Sequence, residues 1–184
     1  IVTDNVGRGA YRFSISEPYH EVMNQLYRDN FNLLDGCQYL ECSPKDKLAR
    51  VDIEYGVDVI LNSVEGHSLT IQEKILTTDF TTVTVEYYQN PLQNIEGDWF
   101  KLKCDYYFVG YIRSYRGVSE LDRWILLDWN MVKLMSSRIN WQINQNRKDG
   151  ARANFKFTHF NSFPNQCVIV SHYYDEDGDT IHYE

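Results

Sequence analysis

Two apolar segments rich in β-branched residues, joined by a short turn-prone stretch, constrain the fold of this chain most strongly. The first segment runs from Val57 to Asn62 and the second from Ser68 to Ile75, with Glu65-Gly66 between them. Apolar runs of this length on either side of a glycine-containing turn predict a β-hairpin. If the turn centres on Glu65-Gly66, Asp58 lies opposite a position near Gln72 to Lys74.

Alternation of side chains along a strand decides which polar groups of this hairpin share a face. Gln72 and Lys74 are expected on one face together with Asp58, and Glu73 on the other; a β-bulge would exchange Gln72 and Glu73. One carboxylate, one amide oxygen and one ammonium then converge, a set that can hold a hard divalent cation and steady a phosphate. The alternative is an ordinary amphipathic hairpin whose polar residues are solvated.

Gly56-Val57-Asp58, followed by a strand with Gln72-Glu73-Lys74, resembles the core of the PD-(D/E)XK nuclease superfamily. The resemblance is closest to the Mrr-like branch, in which Gln replaces the usual acid, and it covers about residues 17–88. It implies an α/β fold of the restriction endonuclease type, a central mixed β-sheet flanked by helices, in a single domain over residues 1–184. It also implies a magnesium-dependent DNA endonuclease of a phage, a mobile element or a restriction system.

The same resemblance implies roles for particular side chains. Asp58 and Gln72 would bind Mg²⁺, with Mn²⁺ as the expected substitute, and Lys74 would orient the attacking water or stabilise the phosphate. Related nucleases often use an acid from the first helix, so Glu21 is expected as a further catalytic residue and metal ligand. Glu86, in the following strand, is the alternative third ligand.

Two other classes of function stay open from the sequence. One is a catalytically inactive module of the nuclease fold that binds nucleic acid or protein, which the Gln at position 72 favours. The other is an unrelated acidic α/β interaction protein. Within the nuclease interpretation, RNA is the alternative substrate to DNA, and cutting both strands of a duplex would favour a homodimer.

The charge distribution bears on the partner. The formal net charge of the chain is −8, but residues 101–160 carry a local net charge of +6. An acidic site beside a basic segment suits local work on phosphates. Two groups of basic and aromatic residues are candidates to bind a phosphate backbone and stack on bases. The alternative for each group is an ordinary solvated surface. The first group is Tyr111, Arg113, Tyr115, Arg116 and Arg123, and the second is Arg147, Lys148, Arg152 and Lys156.

The sequence argues against a membrane-spanning segment and against a zinc site built from cysteines. No apolar run approaches the roughly 20 residues needed to cross a bilayer, so no membrane partner is expected. The four cysteines, at positions 37, 42, 104 and 167, form no C-x-x-C pair, which argues against a zinc knuckle. Reduced thiols in a cytoplasmic protein are the expectation.

Periodicity predicts the remaining elements. Helices are predicted over 16–34, with Val22, Leu26, Asn30 and Leu33 as its stripe, and over 119–140. Strands are predicted over 81–88, 155–160, 168–174 and 180–183, one or two more are predicted within 99–113, and a loop or frayed helix end is predicted over 141–154.

Overall fold

The structure, a computed structural model, describes residues 17–34, 38–39, 56–78, 80–115, 118–145, 153–174 and 180–183. The α-helices are α1 (His20–Asn30), which follows a 3₁₀ turn at Glu17–Tyr19, α2 (Asp98–Lys101) and α3 (Trp129–Leu134). The strands are β1 (Gln38–Tyr39), β2 (Val59–Asn62), β3 (Ser68–Leu76), β4 (Thr82–Asn90), β5 (Ile95–Glu96), β6 (Tyr106–Tyr115), β7 (Val118–Asp128), β8 (Gln142–Gln145), β9 (Asn154–His159), β10 (Val168–Tyr174) and β11 (Thr180–Tyr183).

These strands form two sheets. The larger has the order β1-β2-β3-β6-β7-β10-β11 and the smaller the order β5-β4-β9-β8. β3 and β6 run parallel, and the other pairs are antiparallel. A parallel pair needs a crossover connection, and here β4, β5 and α2 lie between β3 and β6 in the chain. The protein is therefore a mixed α/β protein whose large sheet is mixed.

The two faces of the large sheet are covered differently. On one face, α1 packs its Met23 and Tyr27 against a cluster that includes Ile71 and Phe108. On the other face, side chains such as Val109 share a second cluster with residues of the small sheet, α2 and α3. The sequence led us to expect helices on both faces of the sheet. In the structure, the 11-residue helix α1 covers one face, and the small sheet together with the short helices α2 and α3 covers the other.

The apolar stripe of α1 differs from its prediction by one position. The helix proper ends at Asn30, and its buried residues are Met23 and Tyr27, whereas Val22 is 56% exposed. Tyr27 packs edge-on against Phe108, with ring centroids 6.2 Å apart. Burying this aromatic ring sets the rotation of the helix, and Val22 is turned outward as a consequence.

The prediction of one helix over 119–140 is wrong. Residues 118–128 form β7, and only Trp129–Leu134 are α-helical. Ile125 and Leu127 lie in the cluster on the small-sheet side, and Leu126 lies in the cluster on the α1 side. A central strand buried on both faces is a continuous apolar run without alternation, and such a run also matches the spacings of three and four residues, from Leu121 to Met135, that favoured a helix.

The other predictions divide as follows. The strands over 81–88, 155–160, 168–174 and 180–183 are confirmed within one or two residues. The segment 99–113 contributes most of β6 but begins inside α2, and the predicted loop over 141–154 begins with the exposed strand β8.

None of the helices within the described ranges is long and apolar enough to cross a bilayer. Cys104 and Cys167 are buried free thiols, and Cys37 and Cys42 lie outside the described residues.

Candidate functional site

The β2–β3 hairpin positions the candidate site. Its register pairs Val59 with Ile71 and Asn62 with Ser68, which confirms the predicted hairpin around Glu65-Gly66. The amide of Asp58 donates to the carbonyl of Ile71 at 2.9 Å, so the pairing continues past the start of β2. Asp58 therefore lies across from Gln72, at one end of the span from Gln72 to Lys74 that the sequence predicted.

Asp58 and Gln72 are in direct contact. Nε2 of Gln72 donates to Oδ2 of Asp58 at 2.5 Å and also to the carbonyl of Glu73 at 3.1 Å. The same Asp58 oxygen accepts from the amide of Glu73 at 2.7 Å. One side-chain donor and one backbone donor thus hold the carboxylate against β3.

Gly56 allows the chain to enter this site. Its φ is +59°, in the left-handed region, and a Cβ atom there would lie 2.1 Å from Cδ2 of Leu102 and 2.9 Å from Oε1 of Gln72. Both the conformation and the close approach require glycine. The glycine therefore lets the backbone pass beside the Gln72 amide just before Asp58.

Lys74 lies on the same face of β3 as Gln72 and reaches toward the small sheet. Its Nζ donates to the carbonyl of Thr84 in β4 at 2.7 Å. Glu86 lies two residues further along β4, and its pKa is raised by burial first and then by the charge of Asp98, while Lys101 and Lys74 act in the opposite direction. Glu86 is therefore within electrostatic range of Lys74.

Glu73 points to the opposite face, as strand parity predicted. Its Oε1 accepts from the hydroxyl of Tyr27 in α1 at 2.6 Å. Burial raises the pKa of Glu73 to about 7, and the hydrogen bond from Tyr27 lowers it in part. Because the β2–β3 pairing is regular, it is Gln72, and not Glu73, whose side chain shares a face with Asp58.

Glu21 is not brought to this group by the structure. It lies in the first turn of α1, is exposed, and lines a groove of about 720 Å³ with Leu121 and Trp124 of β7. That groove is on the α1 side of the large sheet, where Glu73 also points. The rotation of α1 that buries Met23 and Tyr27 therefore leaves Glu21 away from Asp58.

Two buried neutral groups lie within electrostatic range of Asp58. Burial raises the pKa of the Cys104 thiol to about 12, and the charges of Asp105 and Asp58 raise it as well. The pKa of Tyr107 is raised well above its ordinary value, mainly by burial and then by Asp98, Cys104 and Asp58. The Asp58 carboxylate is thus within electrostatic range of a thiol and a phenol that stay protonated at neutral pH, so these two groups add no negative charge to the site.

The donor set fits a hard divalent cation that keeps part of its water shell. Among the described residues, no three His, Cys, Asp or Glu side chains are grouped as a metal cage. Mg²⁺ does not need one, since it binds through one or two carboxylates, waters and substrate phosphate. Asp58 offers the carboxylate, and Gln72 offers an amide oxygen after a half turn of its amide, because Nε2 now faces Asp58.

The structure describes three side chains of the first predicted group of basic and aromatic residues, those of Tyr111, Arg113 and Arg123. Tyr111 is buried, and its hydroxyl donates to the carbonyl of Thr82 at 2.7 Å. Arg123 pairs with its neighbour Asp122 at 2.9 Å, and Arg113 is exposed. Arg116 lies outside the described residues, as does the side chain of Tyr115.

Of the second group, the structure describes Lys156, and Arg147, Lys148 and Arg152 lie outside the described residues. The ammonium of Lys156 lies over the ring of Trp99, where Lys133 also points. The sequence analysis did not predict that Trp99 and Lys133 meet Lys156. The three residues lie in α2, α3 and β9, and no regular spacing along the sequence relates them.

Comparisons of the chain with protein-family models, with curated proteins and with solved structures found no match. The functional argument therefore depends on the site itself. It offers a carboxylate and an amide in contact, an ammonium on the same strand face, and a second carboxylate at Glu86. This set can bind a divalent cation and an anionic group at the same place.

Proposed function

We propose that this protein is a magnesium-dependent nuclease of restriction endonuclease-like fold that hydrolyses phosphodiester bonds in DNA as an endonuclease. The observation that carries the proposal is the contact of Asp58 with Gln72 across the hairpin, with Lys74 on the same face of β3. The mixed large sheet, with β6 parallel to β3, supports the fold assignment.

Phosphodiester hydrolysis needs an activated water and neutralisation of the charge that grows on the phosphate. Mg²⁺ held by Asp58 and Gln72, or Mn²⁺ in its place, supplies both when it is bound. Lys74 would leave the carbonyl of Thr84 and place its ammonium on the phosphate. Glu86 is a better third acid than Glu21, because it lies within electrostatic range of Lys74.

DNA is the proposed partner, and RNA is the alternative substrate. The basic segment 101–160 supports a polyanionic ligand, because its net charge of +6 contrasts with the −8 of the whole chain. Cutting both strands of a duplex would favour a homodimer, in which each copy places one site on one strand.

Cleavage of supercoiled plasmid DNA tests the proposal, because a closed circle has no ends for an exonuclease. The wild-type protein should nick or linearise the plasmid in Mg²⁺ and in Mn²⁺, and EDTA should stop the reaction. Asp58→Ala should reduce the rate by about two orders of magnitude or more, since it removes the carboxylate that contacts Gln72.

Asp29→Ala is the matched control. Asp29 is an exposed acid of α1 that accepts a hydrogen bond from Gln25 at 2.8 Å, and it lines the groove on the α1 side of the large sheet, which is the side opposite Asp58. The control should cleave like the wild type. Unchanged cleavage by a folded Asp58→Ala variant would contradict the proposed role of Asp58.

A catalytically inactive module that binds nucleic acid or protein is the second candidate. The neutral Gln72 favours it, because the amide gives Asp58 a hydrogen bond where a second carboxylate would add charge for a cation. In this case the wild type would bind DNA without cleaving it in either metal, and Asp58→Ala would bind as tightly as the wild type.

A further inference from the structure

Two lysines from different elements converge on one tryptophan ring. Nζ of Lys133, in α3, lies 4.3 Å from the ring centroid of Trp99 and 5.4 Å from that of Trp129. Nζ of Lys156, in β9, lies 3.7 Å from the centroid of Trp99 and 5.1 Å from that of Trp141. We call Trp99, Lys133 and Lys156 the lysine–tryptophan cluster.

The two ammonium groups of this cluster have no acidic partner among the described residues. Lys156 donates to Oγ of Ser136 at 3.3 Å. Burial is the main cause that lowers the pKa of Lys133 to about 8, and the charge of Lys156 acts in the same direction. Half-buried like charges without a counter-ion are unfavourable, and cation–π contacts with Trp99 offset only part of this cost.

The surroundings of the cluster have hydrogen-bond donors in excess. Trp129 and Trp141 pack edge-on against Trp99, at centroid distances of 5.5 and 5.2 Å. Their buried indole N–H groups have no acceptor among the described residues. The indole N–H groups are fully enclosed, so a ligand would be held by the two half-buried ammonium groups, which favour an anion that has several acceptor oxygens.

The cluster lies beside the candidate nuclease site. Trp99 directly follows Asp98, whose charge raises the pKa of both Glu86 and Tyr107. Lys133 is within electrostatic range of Cys104, a thiol that Asp58 also affects. The lysines are therefore on the same side of the large sheet as Asp58.

From this arrangement we infer that Lys133 and Lys156, held over Trp99, form a second phosphate-binding site that grips the backbone of a nucleic acid next to the Asp58 site. The identification of the ligand as a nucleic acid rests on the proposed function. Trp99 is only 8% exposed, so it serves as a shelf for the two ammonium groups and does not stack on a base. Both lysines act as positioning residues for the nucleic-acid strand.

Binding of a fluorescently labelled oligonucleotide in EDTA, measured by anisotropy over a range of salt concentrations, tests this inference without any need for cleavage. The double variant Lys133→Met, Lys156→Met keeps the aliphatic stems and removes both charges. We expect it to bind about tenfold more weakly or worse, and to lower the slope of log K against log salt by about one to two, because each lost phosphate contact removes about one unit.

Arg28→Met is the matched control, since Arg28 is an exposed cation of α1 on the far side of the large sheet. It should leave affinity and slope unchanged, and a double Lys→Arg variant should keep both near the wild-type values. If the double Met variant does not fold by circular dichroism, the two single Met variants carry the same test, each with about half the change in slope.

Wild-type affinity and slope in the double Met variant would overturn the inference, as would an equal loss in Arg28→Met. Inorganic polyphosphate of similar charge distinguishes the ligand: if it binds through the lysines and the oligonucleotide does not, the nucleic-acid assignment is wrong. A wild type that never cleaves DNA but binds it through these lysines would contradict the proposed function and leave the inference standing.

Discussion

Gln72 controls how much negative charge the hairpin site presents to a cation. Its amide now donates to Asp58, so a bound ion would replace that hydrogen bond with contacts to two oxygens. Glutamine supplies an oxygen but no charge, and the affinity of the site for Mg²⁺ depends on the number of charged ligands. The residue at position 72 is therefore the most direct means of adjusting metal affinity.

Gln72→Glu should tighten Mg²⁺ binding, and Gln72→Ala should weaken it, each by about tenfold, because the substitutions add a charged ligand or remove a neutral one. Isothermal titration calorimetry with Mg²⁺ alone measures both changes. Asp29→Ala serves again as the control. The reverse order of affinities would show that Gln72 does not contribute to the ion.

Glu73 should matter for stability and not for metal binding. Glu73→Ala removes the acceptor of the 2.6 Å hydrogen bond from the Tyr27 hydroxyl, and losing a hydrogen bond to a buried partner costs about 1–3 kcal/mol. Urea unfolding should show this loss, while Mg²⁺ titration should match the wild type. Lost Mg²⁺ binding in a folded Glu73→Ala variant would mean that Glu73, and not Gln72, faces the ion.

Lys133 should make stability depend on pH above neutrality. Its pKa falls from 10.5 to about 8 on folding, mainly through burial, so between these values the unfolded chain binds a proton that the folded protein does not. Stability should therefore rise with pH through this window. Because the side chain is about half exposed, the effect should be on the order of 1 kcal/mol.

The comparison of Lys133→Met with the wild type isolates this effect from other titrating groups. The variant should be the more stable protein at neutral pH, where the wild type buries a charge beside Lys156, and the difference should shrink near the upper end of the window. Urea unfolding of both proteins, at neutral pH and again near the upper end of the window, measures this difference in stability. A difference in stability that does not depend on pH would argue against the lowered pKa.

At the scale of elements, Gly97 is the junction that fixes α2 against β4. A Cβ atom at Gly97 would lie 2.6 Å from the backbone oxygen of Glu86, and Asp98 and Trp99 follow directly in α2. The placement of Trp99 beside β4 and Glu86 therefore depends on a close backbone approach at this glycine.

Gly97→Ala should destabilise the protein by about 1–3 kcal/mol, because the added methyl group forces β4 and α2 apart. Gly66→Ala is the comparison: Gly66 has a φ of +81°, but an added Cβ would meet no atom within 4 Å, so the substitution should cost about 1 kcal/mol from backbone strain alone. Thermal unfolding ranks the two variants. A smaller loss at Gly97 than at Gly66 would contradict the close packing.

The elements also show how far the sequence could predict the fold. The hairpin was predictable because a half-exposed strand alternates and the glycine-containing turn fixes its centre. β7 was not, because a strand buried on both faces gives a run such as Ile125-Leu126-Leu127 that a buried helix would also give. The rotation of α1 was missed because it depends on the packing of Tyr27 against Phe108 and Glu73.

At the scale of the whole molecule, the two sheets bring together residues that are distant in sequence. The large sheet supplies Asp58 and Lys74, and the small sheet supplies Glu86 and Lys156. The group of Asp58, Gln72 and Lys74 could be predicted because one hairpin holds it. The lysine–tryptophan cluster could not, because its members meet only through the packing of the small sheet, α2 and α3 on the large one.

The central claim is that the hairpin performs catalysis, and Lys74→Met in single-turnover cleavage tests it most directly. The substitution keeps most of the side-chain volume and removes the charge, and Lys74→Arg is the control that keeps the charge. If Lys74 stabilises charge that develops in the transition state, the rate at saturating protein should fall by about two orders of magnitude or more, about 2.7 kcal/mol, with little change in DNA affinity. A wild type without cleavage in Mg²⁺ and Mn²⁺, or a Lys74→Met variant with weakened binding and an intact saturated rate, would contradict the account.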